Sequence, residues 1–347
     1  MESSEDAVRV NTGTKEARAQ YDANVAFANA YASRCGAPTP GRKRVLLTGF
    51  GRFMNIADNA TGRIVSAVVP QARYPETSPP PAGEIDPPAP QLSVGRATLH
   101  LPKSGDVDVC AMIVPVYWDL AAILIAKEVQ AFQPSFVLMN GVAGATQPLW
   151  FEMGSINRGA ALDDGSGNLR PAPKAGEATA KLVDTAGADE LGRPLLASWQ
   201  AIRAAAKDEI EKQGNVRGGG VAFKDVVEGA VFAGFPRESN TYLCNNVTYV
   251  TNYLLDHPGK SVTLLRASTR VAGKPSSVSV KLTGDYRKVP REFIHWPSTV
   301  VDGHVAPAKE VMLRILDAQI AALGTDGAPV RGDNDLADPS LRGGDTF

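Results

Sequence analysis

The sequence predicts an α/β domain built on parallel strands, and three observations predict it. Arg44-Val45-Leu46-Leu47-Thr48-Gly49-Phe50 and Phe136-Val137-Leu138-Met139 are short apolar runs bounded by turn residues, the pattern of strands buried on both faces. Residues 109–116 form a further run, 118–132 carry Leu120, Ile123, Leu124 and Val129 at helical spacing, and 136–139 follow at once. Strand, helix, strand at that spacing is a βαβ unit with a right-handed crossover. Finally, Gly49-Phe50 and Gly141-Val142 stand at the carboxyl ends of two such strands, where ligands bind in open parallel sheets.

Taken in order, residues 1–42 read as a polar, Ala-rich N-terminal extension. A helix is expected over 15–33, with Ala17, Tyr21, Val25 and Ala28 on one side. Ala37-Pro38-Thr39-Pro40-Gly41 is a break. The domain occupies 43–323. After the first strand comes a loop, Gly51-Arg52-Phe53-Met54-Asn55, and then a helix over 60–69. Pro79-Pro80-Pro81 and Pro87-Pro88 mark an extended surface insertion at about 70–97, the end of which, 93–101, has strand character. Beyond the βαβ unit, a helix is expected over 195–213, ended by Gly214. Short strands follow at 230–232 and 262–265, and Val278, Val280 and Leu282 alternate with polar residues as in a half-exposed antiparallel strand. Further insertions fall at about 214–230 and 266–290. The last helix, 308–323, carries Met312, Ile315, Leu316 and Ile320 as its stripe, and 324–347 reads as a mobile tail rich in Gly, Asp and Pro.

Composition narrows the function. The chain has 347 residues, 44% of them hydrophobic, and a formal net charge of -1. That is ample for a large core and leaves no electrostatic footprint for nucleic acid. No segment reaches transmembrane length, and the N-terminal residues lack the pattern of a signal peptide. The expected compartment is cytoplasmic, or secreted if a signal peptide was removed. Three cysteines, Cys35, Cys110 and Cys244, are too few and scattered for a disulfide framework or a zinc site. Cys110 reads as core and Cys35 as part of the extension. No metal and no cofactor are expected.

Cys244 is the residue with chemical promise. Leu243, Val247, Val250 and Leu254 form a helical stripe around and behind it, with Asn240 or Thr241 as candidate caps. A thiol in the first turn faces the positive end of the helix dipole, which favours its anion; the plainer reading is a small buried hydrophobe. A thiolate also needs a basic partner and a group to orient it. Of four histidines, His257 ends the Cys244 helix and points elsewhere, while His100 and His304 have polar or loop surroundings. His295, between Ile294 and Trp296-Pro297, is the candidate. Glu152, alone between Phe151 and Met153, is either a buried carboxylate in need of a partner or an exposed one at a loop edge.

In this order the residues resemble the pyroglutamyl peptidase I (pyrrolidone-carboxylate peptidase) family of cysteine peptidases. Thr48-Gly49-Phe50-Gly51-Arg52-Phe53 with Asn59, Gly141-Val142-Ala143-Gly144 through Glu152 to Ile156-Asn157, Thr241-Tyr242-Leu243-Cys244-Asn245, and Phe293-Ile294-His295-Trp296-Pro297 carry the match. The resemblance implies a three-layer α/β/α sandwich around a mostly parallel mixed sheet. It implies Cys244 as nucleophile, His295 as base and later acid, and Glu152 as the orienting carboxylate. It also implies a pocket for a pyroglutamyl ring, with Phe50, Phe53 and Asn59 as substrate-binding residues. Flat aromatic walls suit a neutral lactam. The implied partner is a peptide or small amide with an N-terminal pyroglutamate, with room for a homo-oligomer and no nucleic acid or membrane. Departures from the family pattern occur at Arg52, Met54-Asn55, Met153, Ser239-Asn240 and around Arg158. Those at Arg52 and Met54-Asn55 motivate a second reading, a cysteine amidase of the same fold with a different acyl specificity; a third reading, of another class, is a non-catalytic binding homologue.

Overall fold

The computed structural model describes residues 15–54, 56–143, 148–167, 178–227, 231–233, 239–266 and 277–329. At its centre is a seven-stranded sheet. In chain order its strands are β1 (Lys43–Phe50), β2 (Ser93–Leu101), β3 (Gly105–Val114), β4 (Phe136–Ala143), β5 (Trp150–Glu152), β6 (Val231–Ala233) and β7 (Arg291–Pro297). They lie in the order β6-β5-β7-β4-β1-β3-β2. The pairings β1–β3, β1–β4, β7–β4 and β6–β5 are parallel, whereas β2–β3 and β7–β5 are antiparallel. The sheet is thus mostly parallel and mixed, and its central strands β1, β4 and β7 are buried almost throughout. This is the reason their sequences are continuously apolar rather than alternating.

Among the described residues, six helices of more than two turns accompany the sheet: α1 (Lys15–Ala30), α2 (Ala60–Val68), α3 (Leu120–Phe132), α4 (Trp199–Gln213), α5 (Leu243–Asp256) and α6 (Val305–Ala321). α1 packs on α3 and α3 on α5, while α2 and α4 both pack on α6. The crossover β3-α3-β4 is the βαβ unit read from sequence. The expected strands at 262–265 and 278–282 pair with each other, antiparallel, in a ribbon outside the main sheet. The tail from residue 330, Asn55 and 267–276 lie outside the described residues.

Three expectations need correction. Cys110 is not a lone core thiol. It forms a disulfide with Cys35, with Cα atoms 5.6 Å apart and a sequence separation of 75. In the loop-entropy description, a link of that span stabilises the fold by about 4 kcal/mol. It fastens the N-terminal segment to β3, and polar contacts reinforce it. The Glu128 carboxylate on α3, itself fully buried, accepts from the Tyr31 and Ser33 hydroxyls and from the backbone N–H groups of Arg34 and Cys35. The Lys127 ammonium donates to the carbonyls of Ala28 and Tyr31.

The proline-rich insertion is also not wholly superficial. Residues 81–85 are exposed and without strand or helix, as expected, but Asp86, Pro88 and Gln91 turn inward and are buried. Lastly, neither Asn240 nor Thr241 caps α5. Tyr242 occupies the cap position, and its side chain makes no capping hydrogen bond.

One buried carboxylate finds no compensation among the described residues. Glu292 on β7 is fully buried, and neither carboxylate oxygen has a hydrogen-bond partner among the described residues. Burial raises its pKa well above the ordinary 4.5, because desolvation favours the neutral acid. A raised folded-state pKa gives stability that is complete below the unfolded value and declines as pH rises toward the folded one. Glu292→Gln keeps the size and the unsatisfied polar atoms and removes only the ionisation. Urea unfolding should therefore show variant and wild type equal near pH 4 and the variant the more stable of the two at pH 7. Equal stability at both pH values would show that Glu292 titrates normally.

Candidate active site

The three candidate catalytic residues come from three elements that the sheet brings together. β7 is held between β4 on one side and β5 on the other. In this register His295 lies level with Gly141 of β4 and with Trp150 of β5, while Phe293 lies opposite Glu152. Side chains two apart on a strand share a face, so Glu152 and His295 are diagonal neighbours on one face. The His295 Nδ1 atom is 2.7 Å from Glu152 Oε1. Both side chains are buried, with 6% and 1% exposure.

Cys244 is the second residue of α5 and is a free thiol, half-buried at the helix N-terminus. It reaches the same face through a gap that only glycine leaves. A Cβ added at Gly141 would stand 2.6 Å from Cys244 Sγ and 2.6 Å from Phe293 Cζ. The Cys244 sulfur stands over Gly141, the residue level with His295, and so lies beside the imidazole. Burial on its own would lower the imidazole pKa. The charge on Cys244 and the bonds to Cys244 and Glu152 outweigh it and raise the pKa from 6.5 to about 9. At neutral pH the ring is therefore an imidazolium lying between sulfur and carboxylate.

The α5 N-terminus is held by side chains that follow the cysteine. Asn245 donates to the carbonyls of Ile156 and Arg158 and accepts from the Ile156 N–H. Asn246 and Asp119 form a reciprocal pair, the Asn246 amide donating to Asp119 Oδ1 and the Asp119 N–H donating to Asn246 Oδ1. The Cys244 N–H lies in the first turn, where no intrahelical acceptor exists, and it has none among the described residues. It is available to an oxyanion.

Beside the thiol opens a cavity of about 290 Å³. Phe50, Phe53 and Asn59, the three expected substrate-binding residues, all line it. Asn59 has a second duty: its Oδ1 caps α2 by accepting from the Thr61 N–H and hydroxyl. Sequence reasoning missed Val116, Ile56 and Tyr242, which also line the cavity. Tyr242 meets Phe53 edge-on at 6.1 Å and Trp118 at 5.2 Å between ring centroids, and its hydroxyl donates to the Asp163 carbonyl. An aromatic two residues before the cysteine was the available signal. Arg52, by contrast, stays out of the cavity and is buried behind it, on Asp86. His257 bonds the Tyr253 carbonyl and Glu190, far along α5, as expected.

No family model matches the chain, and no curated protein does. Solved structures do. The chain is similar to the pyrrolidone carboxyl peptidase from Thermococcus litoralis, at 16% identity and a TM-score of 0.51, over 83% of this chain and 98% of that one. It also matches pyroglutamyl peptidase I from Bacillus amyloliquefaciens at 14% identity and a TM-score of 0.49, over 83% and 100% of the two chains. The first of these likenesses shows that the chain has the pyroglutamyl peptidase fold.

The Gly141 gap makes a direct prediction. Gly141→Ala should push the sulfur off its imidazole and slow iodoacetamide alkylation of Cys244 at pH 7 by about tenfold or more, as expected when a thiol leaves its cationic partner. An unchanged alkylation rate in a folded variant would mean that the thiol does not depend on the gap.

Proposed function

We propose that the chain is a cysteine hydrolase that removes an N-terminal pyroglutamyl residue from peptides or small amides. The observation that carries this reading is the line of carboxylate, imidazole and thiol opening onto an aromatic-walled cavity. The ring of the substrate lies between Phe50, Phe53 and Tyr242, and the Asn59 amide, which has no other acceptor among the described residues, donates to the lactam carbonyl. The Cys244 thiolate attacks the scissile carbonyl carbon, and the oxyanion accepts from the Cys244 N–H. The His295 imidazolium protonates the leaving amine, giving a thioester. His295, now neutral, takes a proton from water, which attacks the thioester and releases pyroglutamate. Glu152 holds the ring in orientation and supports its charge. A cysteine amidase with a different acyl group is the second reading; Arg52, one of the changes that motivate it, acts on the cavity from behind rather than lining it.

The disulfide bears on compartment. Structural disulfides persist in oxidising surroundings and are rare in the cytosol. Cys35–Cys110 therefore favours an extracytoplasmic setting over the cytoplasmic one expected from sequence. No helix among the described residues is long and apolar enough to cross a membrane. Alkylation of the denatured, unreduced protein from its native compartment should label one thiol; labelling of three would contradict the assignment.

Release of a fluorescent amine from pyroglutamyl, glutaminyl and prolyl derivatives tests the activity. Cys244→Ser and His295→Ala should each lower kcat by roughly 10³-fold or more, and the double variant should be barely worse, because the two act as one unit. Phe53→Ala should raise KM for the pyroglutamyl substrate by roughly 10- to 100-fold with less effect on kcat, the scale of a lost wall contact. An unchanged KM would favour a different acyl group. A wild type that turns over none of the three, with Cys244 alkylating no faster than a free thiol, would leave a binding protein.

The pH profile gives a separate check. Since the imidazolium is lost as pH rises through about 9, kcat/KM should fall on that alkaline limb. Glu152→Gln removes two of the causes that hold the pKa up, so its limb should lie at lower pH. A limb that stays in place would remove Glu152 from the proposed role.

A further inference from the structure

The geometry points to Asp86 and Arg52 as positioning residues that set the wall of the acyl pocket, with the proline-rich insertion acting as a brace. This rests on the pocket's proposed use for a pyroglutamyl ring. The pocket loop reverses at Met54, whose φ is +48°, and the backbone groups of Phe53 and Ile56 exchange hydrogen bonds at 3.1 and 2.8 Å. Both flanking side chains, Phe53 and Ile56, line the cavity. Arg52 lies directly before this reversal and is turned inward, with 2% exposure. Its Nη1 donates to the Met54 carbonyl at 3.0 Å, its Nε to Thr77 Oγ1 at 3.3 Å and its Nη2 to Asp86 Oδ2 at 2.5 Å. The guanidinium fork therefore ties the reversal to the insertion at two points.

Asp86 is itself gripped from three directions. Its Oδ1 accepts from the Gln91 amide at 2.7 Å. Its N–H donates to Gln20 Oε1 of α1 at 2.6 Å, and its carbonyl accepts from Gln20 Nε2 at 2.8 Å. That carbonyl also accepts from the Tyr117 hydroxyl at 2.9 Å. Tyr117 adjoins Val116, a further wall residue. Two walls of one pocket, from the loop after β1 and the loop after β3, are thus referred to a single buried aspartate. A pair taken out of water is retained only when its geometry is good and its remaining lone pairs are satisfied, and here they are. An Arg52–Asp86 pair placed only for stability need not hold the turn between two cavity residues; this one does, through the Met54 carbonyl.

The test compares Asp86→Asn and, as a control, the exposed Glu84→Gln from the same insertion. Two readouts are taken on each folded protein. The first is kcat and KM on a pyroglutamyl fluorogenic amide. The second is the ratio of Cys244 alkylation rates with N-benzyl iodoacetamide and with iodoacetamide, which reads the apolar pocket without any substrate. Asp86→Asn should raise KM by about tenfold with kcat within about threefold, and lower the reagent ratio by a similar factor, the scale of one displaced contact surface. Glu84→Gln should change neither. A role confined to stability would lower both alkylation rates in parallel or leave them unchanged, keeping the ratio at the wild-type value; that result in a folded Asp86→Asn, with wild-type KM, overturns the inference. If the wild type turns over no pyroglutamyl substrate, the functional reading fails and the reagent ratio alone still decides the brace. Should Asp86→Asn not fold, Arg52→Met combined with Asp86→Leu leaves no unpaired buried charge and is held to the same outcomes.

Discussion

The site depends on the absence of one side chain. His295 and Gly141 share a register position on adjacent parallel strands, and the sulfur of Cys244 occupies the space above Gly141 that a methyl group would take. The imidazole is fixed from its other side by Glu152, across an antiparallel pairing. Because β7 pairs in parallel with β4 and antiparallel with β5, one strand can present a histidine to a helix N-terminus and to a carboxylate at the same time. A one-residue slip would turn His295 to the opposite face of the sheet. The tight register of three buried strands is therefore what holds the chemistry in place.

The helix end is held with comparable care. A thiolate beside an open N–H asks that the first turn of α5 be neither capped nor loose. Tyr242 leaves the cap position without a side-chain acceptor, so among the described residues the Cys244 N–H has no partner. Asn245 and Asn246 supply the anchoring that a cap would otherwise give, one to the loop after β5 and the other to Asp119 before α3. Asp119 accepts a positive φ of 61° in doing so, a conformation uncommon for a residue other than glycine.

Much of the fold was legible because its signals are local. The runs 44–50 and 136–139 and the stripes of α3, α5 and α6 follow from burial alone. The candidate site residues were legible through chemistry and resemblance: a lone cysteine at a helix start, a histidine at a strand end and an isolated carboxylate. What was not legible depends on distant partners. β5 has three residues, too few for a periodicity, and exists because β7 and β6 pair with it. The disulfide joins cysteines 75 positions apart, and neither local sequence announces the other. Arg52 looked like a change in the pocket, since its neighbours Phe50 and Phe53 are pocket residues. Only the inward turn of Asp86 shows why it faces away.

Four buried acids illustrate how the surroundings of a charge decide its role. Glu128 has four donors and fastens the N-terminal segment. Asp86 has a guanidinium and an amide on its carboxylate and braces the cavity wall. Glu152 has the His295 imidazole, which in turn lies beside the thiol. Glu292 has no hydrogen-bond partner among the described residues, and its burial favours the neutral form. Each of the first three has a partner within hydrogen-bond distance, supplied from another part of the chain. Desolvation thus turns each carboxylate into a demand for one specific tertiary contact. For Glu152 that demand is met by the imidazole that also lies beside the Cys244 thiol, so the packing that makes a buried carboxylate tolerable is the same packing that assembles the site.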